Sequence, residues 1–223
     1  MTFLYNRYDS GKRLENMKGH FITFEGPDGS GKTTIAKMVL EQLSNEGYPV
    51  LYTREPGGIK ISEQIRDVIL DCNNTTMDAR TEALLYAASR RQHLIEKVLP
   101  AIKEGKIIIC DRFVDSSLVY QGVGRGLGID SVYQMNLFAI EDIMPEATIF
   151  FDVKPEIGLA RINSNHEREV NRLDLEKLDF HQRVYEGYKE VAKRYPKRIE
   201  SVDASLPLEQ VYQIVLEKVK RHL

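Results

Sequence analysis

The chain has 223 residues, of which 42% are hydrophobic and 29% charged, so it is long enough for one domain with a buried core. Its 31 Lys and Arg residues nearly balance 33 Asp and Glu residues, and the net charge of −2 argues against a broad nucleic-acid-binding surface. No run of 18 apolar residues is present, and two cysteines are too few for a disulfide framework. We therefore expect a cytoplasmic protein with neither a membrane nor a nucleic-acid partner.

The first residues differ in character from the rest of the chain. Residues 1–16 are polar and mixed in charge, and they lack the apolar stretch of a signal peptide. Met17 stands just before the first strand pattern. We therefore expect residues 1–16 to form an N-terminal appendage and residues 17–223 to form a single domain.

Strand and helix patterns alternate from residue 20 onward. The predicted strands are short apolar runs at His20–Glu25, Val50–Thr53, Lys106–Cys110, Ala147–Val153 and Arg198–Val202. The predicted helices carry apolar residues at helical spacing and cover Thr33–Ser44, Ser62–Leu70, Ala79–Glu104 (with Pro100 as an expected end or kink), Val132–Ile143, Pro155–Asn163, Leu175–Arg194 and Leu208–Arg221. This alternation predicts an α/β three-layer sandwich, with a parallel sheet of about five strands flanked by helices. The pattern does not determine the order of the strands.

A phosphate-binding loop pattern follows the first predicted strand. Residues 26–33 (GPDGSGKT) match G-x-x-x-x-G-K-[ST] and lead directly into the first helix. In such a loop, backbone N–H groups and the helix N-terminus bind phosphate. Lys32 would reach the β- and γ-phosphates, and the Thr33 hydroxyl would bind Mg²⁺. The alternative is a glycine-rich turn without a ligand, but the complete motif in this context favours a P-loop fold that binds a nucleoside triphosphate.

Arginines follow two of the predicted strands. Arg54 comes after the second strand and Arg112 after the third. Ligands of open α/β sheets bind beyond the carboxyl ends of the strands, so both arginines should face the same cleft as the P-loop. Arginine forks bind phosphate in a bidentate manner, and two facing phosphate sites are typical of nucleoside monophosphate kinases. The alternative is that these arginines form surface ion pairs.

Three motifs together resemble those of the bacterial thymidylate kinase family. They are residues 24–34 (FEGPDGSGKTT), 53–58 (TREPGG) and 111–122 (DRFVDSSLVYQG), and the resemblance extends over about residues 20–220. It implies that the chain transfers the γ-phosphoryl group of ATP to dTMP, with Mg²⁺, giving dTDP and ADP for dTTP synthesis. It also implies a homodimer, for which the apolar faces of Ala79–Ile95 and Val132–Ile143 could supply the contact.

The resemblance implies roles for individual residues as well. The expected ATP-binding residues are Gly26, Pro27, Asp28, Gly29, Ser30, Gly31, Lys32, Thr33, Thr34 and Arg161. The expected dTMP-binding residues are Asp28, Arg54, Glu55, Arg66, Tyr86, Arg90, Arg112, Ser117, Tyr120 and Gln121. The expected metal ligands, directly or through water, are Thr33 and Asp111, and the expected catalytic residues are Lys32, Asp111, Arg112 and Arg125.

The part of the site that would recognise the thymine base lies on a helix. The resemblance implies that Tyr86 stacks on the base and that Arg90 donates a hydrogen bond to its O4 atom. Their i, i+4 spacing puts them on one helix face, as this pair of roles requires. Core packing is the alternative for Tyr86. Glu55 is expected beside the phosphate or a metal-bound water.

Residues 121–128 (QGVGRGLG) contain four glycines around Arg125. This composition is typical of a mobile lid, here about residues 121–129, whose closure would bring Arg125 over the ATP phosphates and exclude water. Because the P-loop itself has no arginine, the lid would have to supply that charge. A glycine-rich connector without such a role is the alternative.

Two other functions remain open from the residues alone. One is a kinase for a different acceptor, such as dUMP or deoxyadenosine, and the other is a nucleotide-sensing module without catalysis. A panel of acceptors distinguishes these possibilities.

Overall fold

The computed structural model describes residues 18–164 and 172–223, so the predicted appendage at residues 1–16 lies outside the described residues. Five parallel strands form one sheet in the order β2-β3-β1-β4-β5. They are β1 (His20–Glu25), β2 (Val50–Arg54), β3 (Ile107–Asp111), β4 (Ala147–Asp152) and β5 (Ile199–Asp203). The predicted α/β class and the number of strands are confirmed, and β1 proves to be the central strand.

Helices connect the strands and cover both faces of the sheet. They are α1 (Lys32–Asn45), α2 (Lys60–Leu70), α3 (Ala79–His93), α4 (Leu99–Lys103), α5 (Val114–Ser117), α6 (Ile129–Ile140), α7 (Pro155–Asn163), α8 (Leu178–Arg194) and α9 (Leu208–Lys220). Two π-helical segments, Leu94–Val98 and Leu118–Gly124, and a short 3₁₀ turn, Arg172–Leu175, complete the described elements. None of the helices in the described ranges is both long and apolar enough to cross a membrane.

The two sides of the sheet bury separate apolar cores. Side chains alternate along β1, so Phe21 packs into one core while Ile22 and Phe24 pack into the other. The first core includes residues of α3, α6 and α8, and the second includes residues of α1 and α9. In β3, Ile108 and Ile109 point to opposite cores, which explains its continuous run of apolar residues.

The register of the central strands brings their carboxyl ends to one edge. Asp111, the last residue of β3, is aligned with Phe24 of β1 and with Arg54 of β2. The P-loop begins one residue after β1 ends, so it lies beside Asp111 and Arg112 at the middle of this edge. The fold therefore gathers the three sequence motifs into one cleft.

The long helix predicted at Ala79–Glu104 forms, but a π-helical segment interrupts its α-helical geometry. The chain stays helical through α3, the π-helical segment Leu94–Val98 and α4, and it ends at Lys103. Of the two effects expected of Pro100, an end or a kink, it does not produce an end. It lies in the first turn of α4, directly after the π-helical segment, where the absent N–H of proline is tolerated.

Candidate functional site

The P-loop forms the first wall of the site, between β1 and α1. Gly26, Gly29 and Gly31 all have positive φ angles. At Gly29 the reason is also steric, because a Cβ atom there would lie 2.1 Å from the backbone oxygen of Gly158 on α7. Glycine is therefore required for the loop to curl against α7.

Lys32 lies inside the curl of the loop. Its Nζ atom donates to the backbone oxygens of Gly26 (3.0 Å) and Pro27 (2.9 Å) and to Ser30 Oγ (3.1 Å). Burial, together with the positive charge of Arg112, lowers the pKa of Lys32 from 10.5 to about 8. The ammonium group is thus held by weak neutral acceptors where the resemblance implies a phosphate.

Thr33 and Asp111 meet at the start of α1, as expected for the metal ligands. Thr33 Oγ1 donates to Asp111 Oδ2 at 2.6 Å, and the Tyr52 hydroxyl donates to the same oxygen at 3.4 Å. A hydroxyl beside a carboxylate is an oxygen donor set that suits Mg²⁺, which usually takes only one or two protein ligands and completes its shell with phosphate and water. The residues that the structure describes contain no group of three or more His, Cys, Asp or Glu side chains that could hold a metal by themselves.

Arg112 links the P-loop to the pocket next to it. Its backbone has a φ of 72°, an uncommon value for a residue other than glycine, which turns the chain sharply after β3. The guanidinium donates to the Gly26 backbone oxygen (2.9 Å) and to Asp28 Oδ1 (2.7 Å), and its carbon lies 5.2 Å from the centre of the Tyr120 ring. This cation therefore borders both sites, where phosphoryl transfer between two ligands needs one.

The pocket beyond Arg112 holds most of the residues predicted to bind dTMP. It encloses about 640 Å³, its open mouth included. Its lining residues are Asp28, Glu55, Pro56, Arg66, Leu70, Tyr86, Arg90, Arg112, Ser116, Ser117, Tyr120, Gln121 and Leu173. Tyr120 donates its hydroxyl to Asp28 Oδ2 at 3.1 Å, which fixes the two residues expected to face the sugar.

Arg90 is 2% exposed and is one of the residues that line this pocket. Its guanidinium donates to Glu55 Oε2 (2.8 Å), Ser117 Oγ (3.0 Å), the Phe113 backbone oxygen (2.8 Å) and Asn136 Oδ1. Arginine has five N–H donors, so this set leaves one N–H for a ligand. The geometry is compatible with the expected hydrogen bond to a base.

Glu55 has a neighbour that the sequence did not indicate. Its Oε1 atom accepts from His93 Nδ1 at 2.9 Å, and His93 Nε2 lies 2.6 Å from Thr53 Oγ1. The carboxylate, which lines the pocket and is 5% exposed, thus orients Arg90, and its expected contact with a metal-bound water stays a prediction. Sequence reasoning gave His93 no role, although it lies three residues after Arg90 on the same helix.

Of the two arginines Arg54 and Arg66, both predicted to bind the dTMP phosphate, the structure places only Arg66 at the pocket. Arg54 donates to the Pro56 backbone oxygen and to both carboxylate oxygens of Glu63 (2.9 and 3.1 Å), and it does not line the pocket. Arg66 does line the pocket and is braced on the same Pro56 oxygen at 3.1 Å. The reason is Glu63, one turn before Arg66 on α2, which captures the Arg54 guanidinium.

The segment expected to form a lid is packed in this structure. Gln121, Gly122 and Gly124 are buried, and a Cβ atom on Gly124 would lie 2.8 Å from the Phe180 ring. Arg125 contacts Glu82 and Glu176, and its guanidinium lies 4.7 Å from the centre of the Phe180 ring. Its charge is therefore neutralised by two carboxylates in this arrangement. Gly122 and Gly124 are closely packed, whereas a Cβ atom on Gly126 would meet open space. The lid at about residues 121–129 and the catalytic role of Arg125 stay predictions.

Arg161 lies on α7, one turn after the residue that touches the P-loop. Its Nη1 atom donates to the Ala204 backbone oxygen at 3.0 Å, which ties α7 to the loop after β5. This places Arg161 on the P-loop side of the sheet edge. Its expected position near the adenine of ATP stays a prediction.

Glu25, which sequence reasoning missed, binds the backbone of the segment that follows β3. It accepts hydrogen bonds from the backbone N–H groups of Phe113 (2.7 Å) and Ser116 (3.1 Å) and from the Tyr188 hydroxyl (3.0 Å). Burial, and then the negative charge of Asp115, raises the pKa of Glu25 to about 7. The signal that could have found it is a carboxylate at the end of a short, mostly apolar strand.

This raised pKa has a consequence for stability. The folded state holds the Glu25 proton more tightly than the unfolded chain, whose pKa is 4.5, so stability should fall as pH rises from about 4.5 to about 7. We expect a loss on the order of 3 kcal/mol through this group, measured as the free energy of unfolding in urea. In Glu25→Gln that pH dependence should be absent, whereas the exposed control Glu217→Gln should keep it. Equal slopes in all three proteins would contradict the assignment.

Comparisons with known proteins agree with the site. A parallel sheet with a P-loop at its centre, facing an arginine-lined pocket, defines the nucleoside monophosphate kinase class of P-loop proteins. The family model for thymidylate kinase matches residues 24–215. With that match, the chain belongs to the thymidylate kinase family.

Individual relatives cover nearly the whole chain. A thymidylate kinase of Clostridium novyi is 62% identical over 198 residues, 89% of this chain and 97% of that protein. One from Bacillus velezensis is 61% identical over 207 residues, 93% of this chain and 98% of that protein. The crystal structure of thymidylate kinase from Ehrlichia chaffeensis is similar with a TM-score of 0.72 and 33% identity, and the match covers 90% of this chain and 98% of that one.

Proposed function

We propose that the chain transfers the γ-phosphoryl group of ATP to dTMP, giving ADP and dTDP. The observation that carries the proposal is the position of Arg112, which borders both the P-loop and the pocket lined by the predicted dTMP-binding residues. Family membership supplies the identity of the acceptor. The cytoplasmic location and the place in dTTP synthesis rest on that membership alone and stay predictions.

The chain contributes position and charge to this reaction. The P-loop N–H groups and Lys32 would bind the phosphates of ATP, and Arg66 and Arg112 would bind the phosphate of dTMP. Thr33 and Asp111 would hold Mg²⁺, which neutralises phosphate charge when it is bound. Because the attacking phosphate is already a nucleophile, alignment and charge stabilisation account for most of the catalysis.

The rest of the pocket would recognise the nucleoside. We propose that Tyr86 stacks on the base, that the remaining N–H of Arg90 donates to O4, and that Gln121 and Ser117 face the base from the opposite element. Tyr120 and Asp28 are hydrogen-bonded to each other where the sugar would lie. The Tyr120 ring would disfavour a 2′-hydroxyl, and Asp28 would accept from the 3′-hydroxyl.

A panel of acceptors tests this proposal. ADP release is measured by a coupled assay with ATP, Mg²⁺ and, in turn, dTMP, dUMP, dCMP, dAMP and thymidine. We expect the highest kcat/KM with dTMP and no turnover with thymidine, which lacks the phosphate that Arg66 and Arg112 would bind. Preference for a nucleoside would contradict the proposal, and ATP binding without transfer to any acceptor would favour a nucleotide-sensing module.

We further propose that two copies of the chain form a homodimer through α3 and α6. Leu84 and Ile95 are 59% and 43% exposed and lie eleven residues apart, on the same side of the helix. Phe138 on α6 is 90% exposed. Arg91 lies between Leu84 and Ile95 along the chain, and it donates to the backbone oxygen of Ala139, the residue after Phe138. This contact brings Phe138 to the same surface as Leu84 and Ile95. Such a cluster is typical of an interface.

The substitution Phe138→Asp tests this surface. Placing a charge at the centre of an apolar interface should dissociate the dimer, because the charge would have to be buried without a partner. Sedimentation equilibrium should give a mass near 25.6 kDa for the variant and near twice that for the wild type. The control Leu208→Asp, on α9 at the opposite face of the sheet, should remain a dimer. A monomeric wild type would refute the proposal.

A further inference from the structure

Glu82 is a buried carboxylate that the proposed mechanism does not use. It lies on α3, one turn before Tyr86, and is 1% exposed. Its Oε1 atom accepts from Gln121 Nε2 at 2.8 Å, and its Oε2 atom accepts from Arg172 Nη2 at 2.7 Å. Arg125 Nε lies 3.3 and 3.2 Å from the two oxygens. A carboxylate at this depth carries a large cost unless every partner is in place, which calls for an explanation.

The contact with Gln121 fixes the orientation of an amide. An ionised carboxylate only accepts hydrogen bonds, whereas an amide has a donor end and an acceptor end. Gln121 must therefore turn its NH₂ group toward Glu82, and its Oε1 atom is turned away from that carboxylate. Gln121 lines the pocket and is itself 1% exposed, so it has little freedom to reverse.

This orientation matters for the choice of pyrimidine. The edge of thymine carries an acceptor at O4 and a donor at N3–H, whereas cytosine carries a donor at N4 and an acceptor at N3. Arg90 offers a donor, and Gln121, held as described, offers an acceptor. That pair matches thymine at both atoms and opposes cytosine at both.

We propose that Glu82 is a positioning residue that selects 4-keto pyrimidines by holding the Gln121 amide with its oxygen toward the base. The inference rests on the proposed function, because it assumes that the base lies against Gln121 and Arg90. Glu82 does not touch the acceptor. It acts through the amide, so its effect is on specificity and acceptor binding rather than on phosphoryl transfer.

The surroundings of Glu82 keep it ionised, as this role requires. Burial alone would raise its pKa, but the hydrogen bond from Gln121 and the charge of Arg125 hold the pKa below its usual value. Arg172 adds a second cation and also donates to the Ile69 backbone oxygen at 2.8 Å. These contacts hold Leu173, the next residue along the chain, at the pocket wall. The carboxylate therefore stays an acceptor at neutral pH.

The test compares kcat/KM for dTMP and dCMP in the wild type and in Glu82→Gln. A neutral amide at residue 82 can pair with either end of the Gln121 amide. The Gln121 oxygen is then no longer forced to face the base. We expect kcat/KM for dTMP to fall about 10-fold, mainly through KM, and the dTMP/dCMP ratio to narrow by at least about 10-fold. The control Glu176→Gln removes the other carboxylate partner of Arg125 without touching Gln121, and its ratio should remain within about 2-fold of the wild type.

Several outcomes would overturn the inference while leaving the proposed function intact. An unchanged ratio in Glu82→Gln, or an equal loss with both acceptors, would show that Glu82 has only a structural role. Should Glu82→Gln fail to fold, as judged by circular dichroism, Glu82→Asp takes its place. That variant keeps a negative charge near Arg125 and Arg172, but its shorter side chain weakens the contact with Gln121, and it should also narrow the ratio of kcat/KM for dTMP to that for dCMP. Failure of the wild type to phosphorylate dTMP would instead refute the proposed function.

Discussion

Replacing Arg112 with alanine is expected to lower kcat/KM for dTMP by about 10²-fold or more. Removing a single preorganised group that stabilises developing charge typically costs about 3–4 kcal/mol. Arg112 is such a group, because contacts with Gly26 and Asp28 hold its guanidinium between the P-loop and the pocket. Its side chain is 17% exposed, so little water is available to replace the lost charge. Steady-state kinetics with ATP and dTMP measure the effect.

Two further variants sharpen that prediction. Arg112→Lys keeps the charge but loses the fork that reaches both Gly26 and Asp28, so we expect it to recover only part of the rate. Arg194→Ala removes an arginine of α8 that pairs with Glu190 and Asp130 far from the pocket, and its kinetics should match the wild type. Wild-type kinetics in Arg112→Ala would show that this residue does not serve the reaction.

Lys32→Ala is expected to reduce kcat by about 10²-fold or more while leaving dTMP binding nearly unchanged. The ammonium group lies within the curl of the P-loop, where it would neutralise the phosphates of ATP during transfer. Lys32 does not line the acceptor pocket, so its loss should not weaken binding of dTMP. Kinetics report the loss in rate, and titration calorimetry with dTMP alone reports the binding.

The matched control for this variant is Lys37→Ala. Lys37 lies on the same helix, five residues later, and is exposed. It should have no effect on either measurement. A parallel loss of dTMP affinity and rate in Lys32→Ala would contradict the separation of the two sites, since it would mean that the substitution disturbs the whole cleft.

Local signals in the sequence predicted the elements and the P-loop well. Neighbouring residues alone determine the apolar runs of β1 and β3 and the glycine pattern before α1. Their structure can therefore be predicted without tertiary information. The strand order β2-β3-β1-β4-β5 depends on pairing between distant segments, and the pattern could not determine it. The helix predicted at Ala79–Glu104 ends at Lys103, one residue early, and the pattern did not predict the π-helical segment directly before Pro100.

In the pocket, too, local sequence signals predicted some features and contacts between distant residues determined others. Arg54 and Arg66 carry the same charge and lie close in sequence, and only the folded structure shows that Glu63 captures the first of them. Glu82 has its partners 39 to 90 residues away, so no motif could reveal it. Buried carboxylates that orient other side chains belong to the tertiary structure. The sequence alone identifies the residues that belong to a recognisable motif.

The central claim is transfer of a phosphoryl group from ATP to dTMP, and product analysis tests it most directly. The purified protein is incubated with ATP, Mg²⁺ and dTMP, and the nucleotides are separated and quantified over time. The proposed site predicts one dTDP formed for each ADP, with little ADP formed when dTMP is omitted. ADP released without dTDP would contradict it, because the protein would then hydrolyse ATP rather than pass its phosphoryl group to an acceptor beside Arg112.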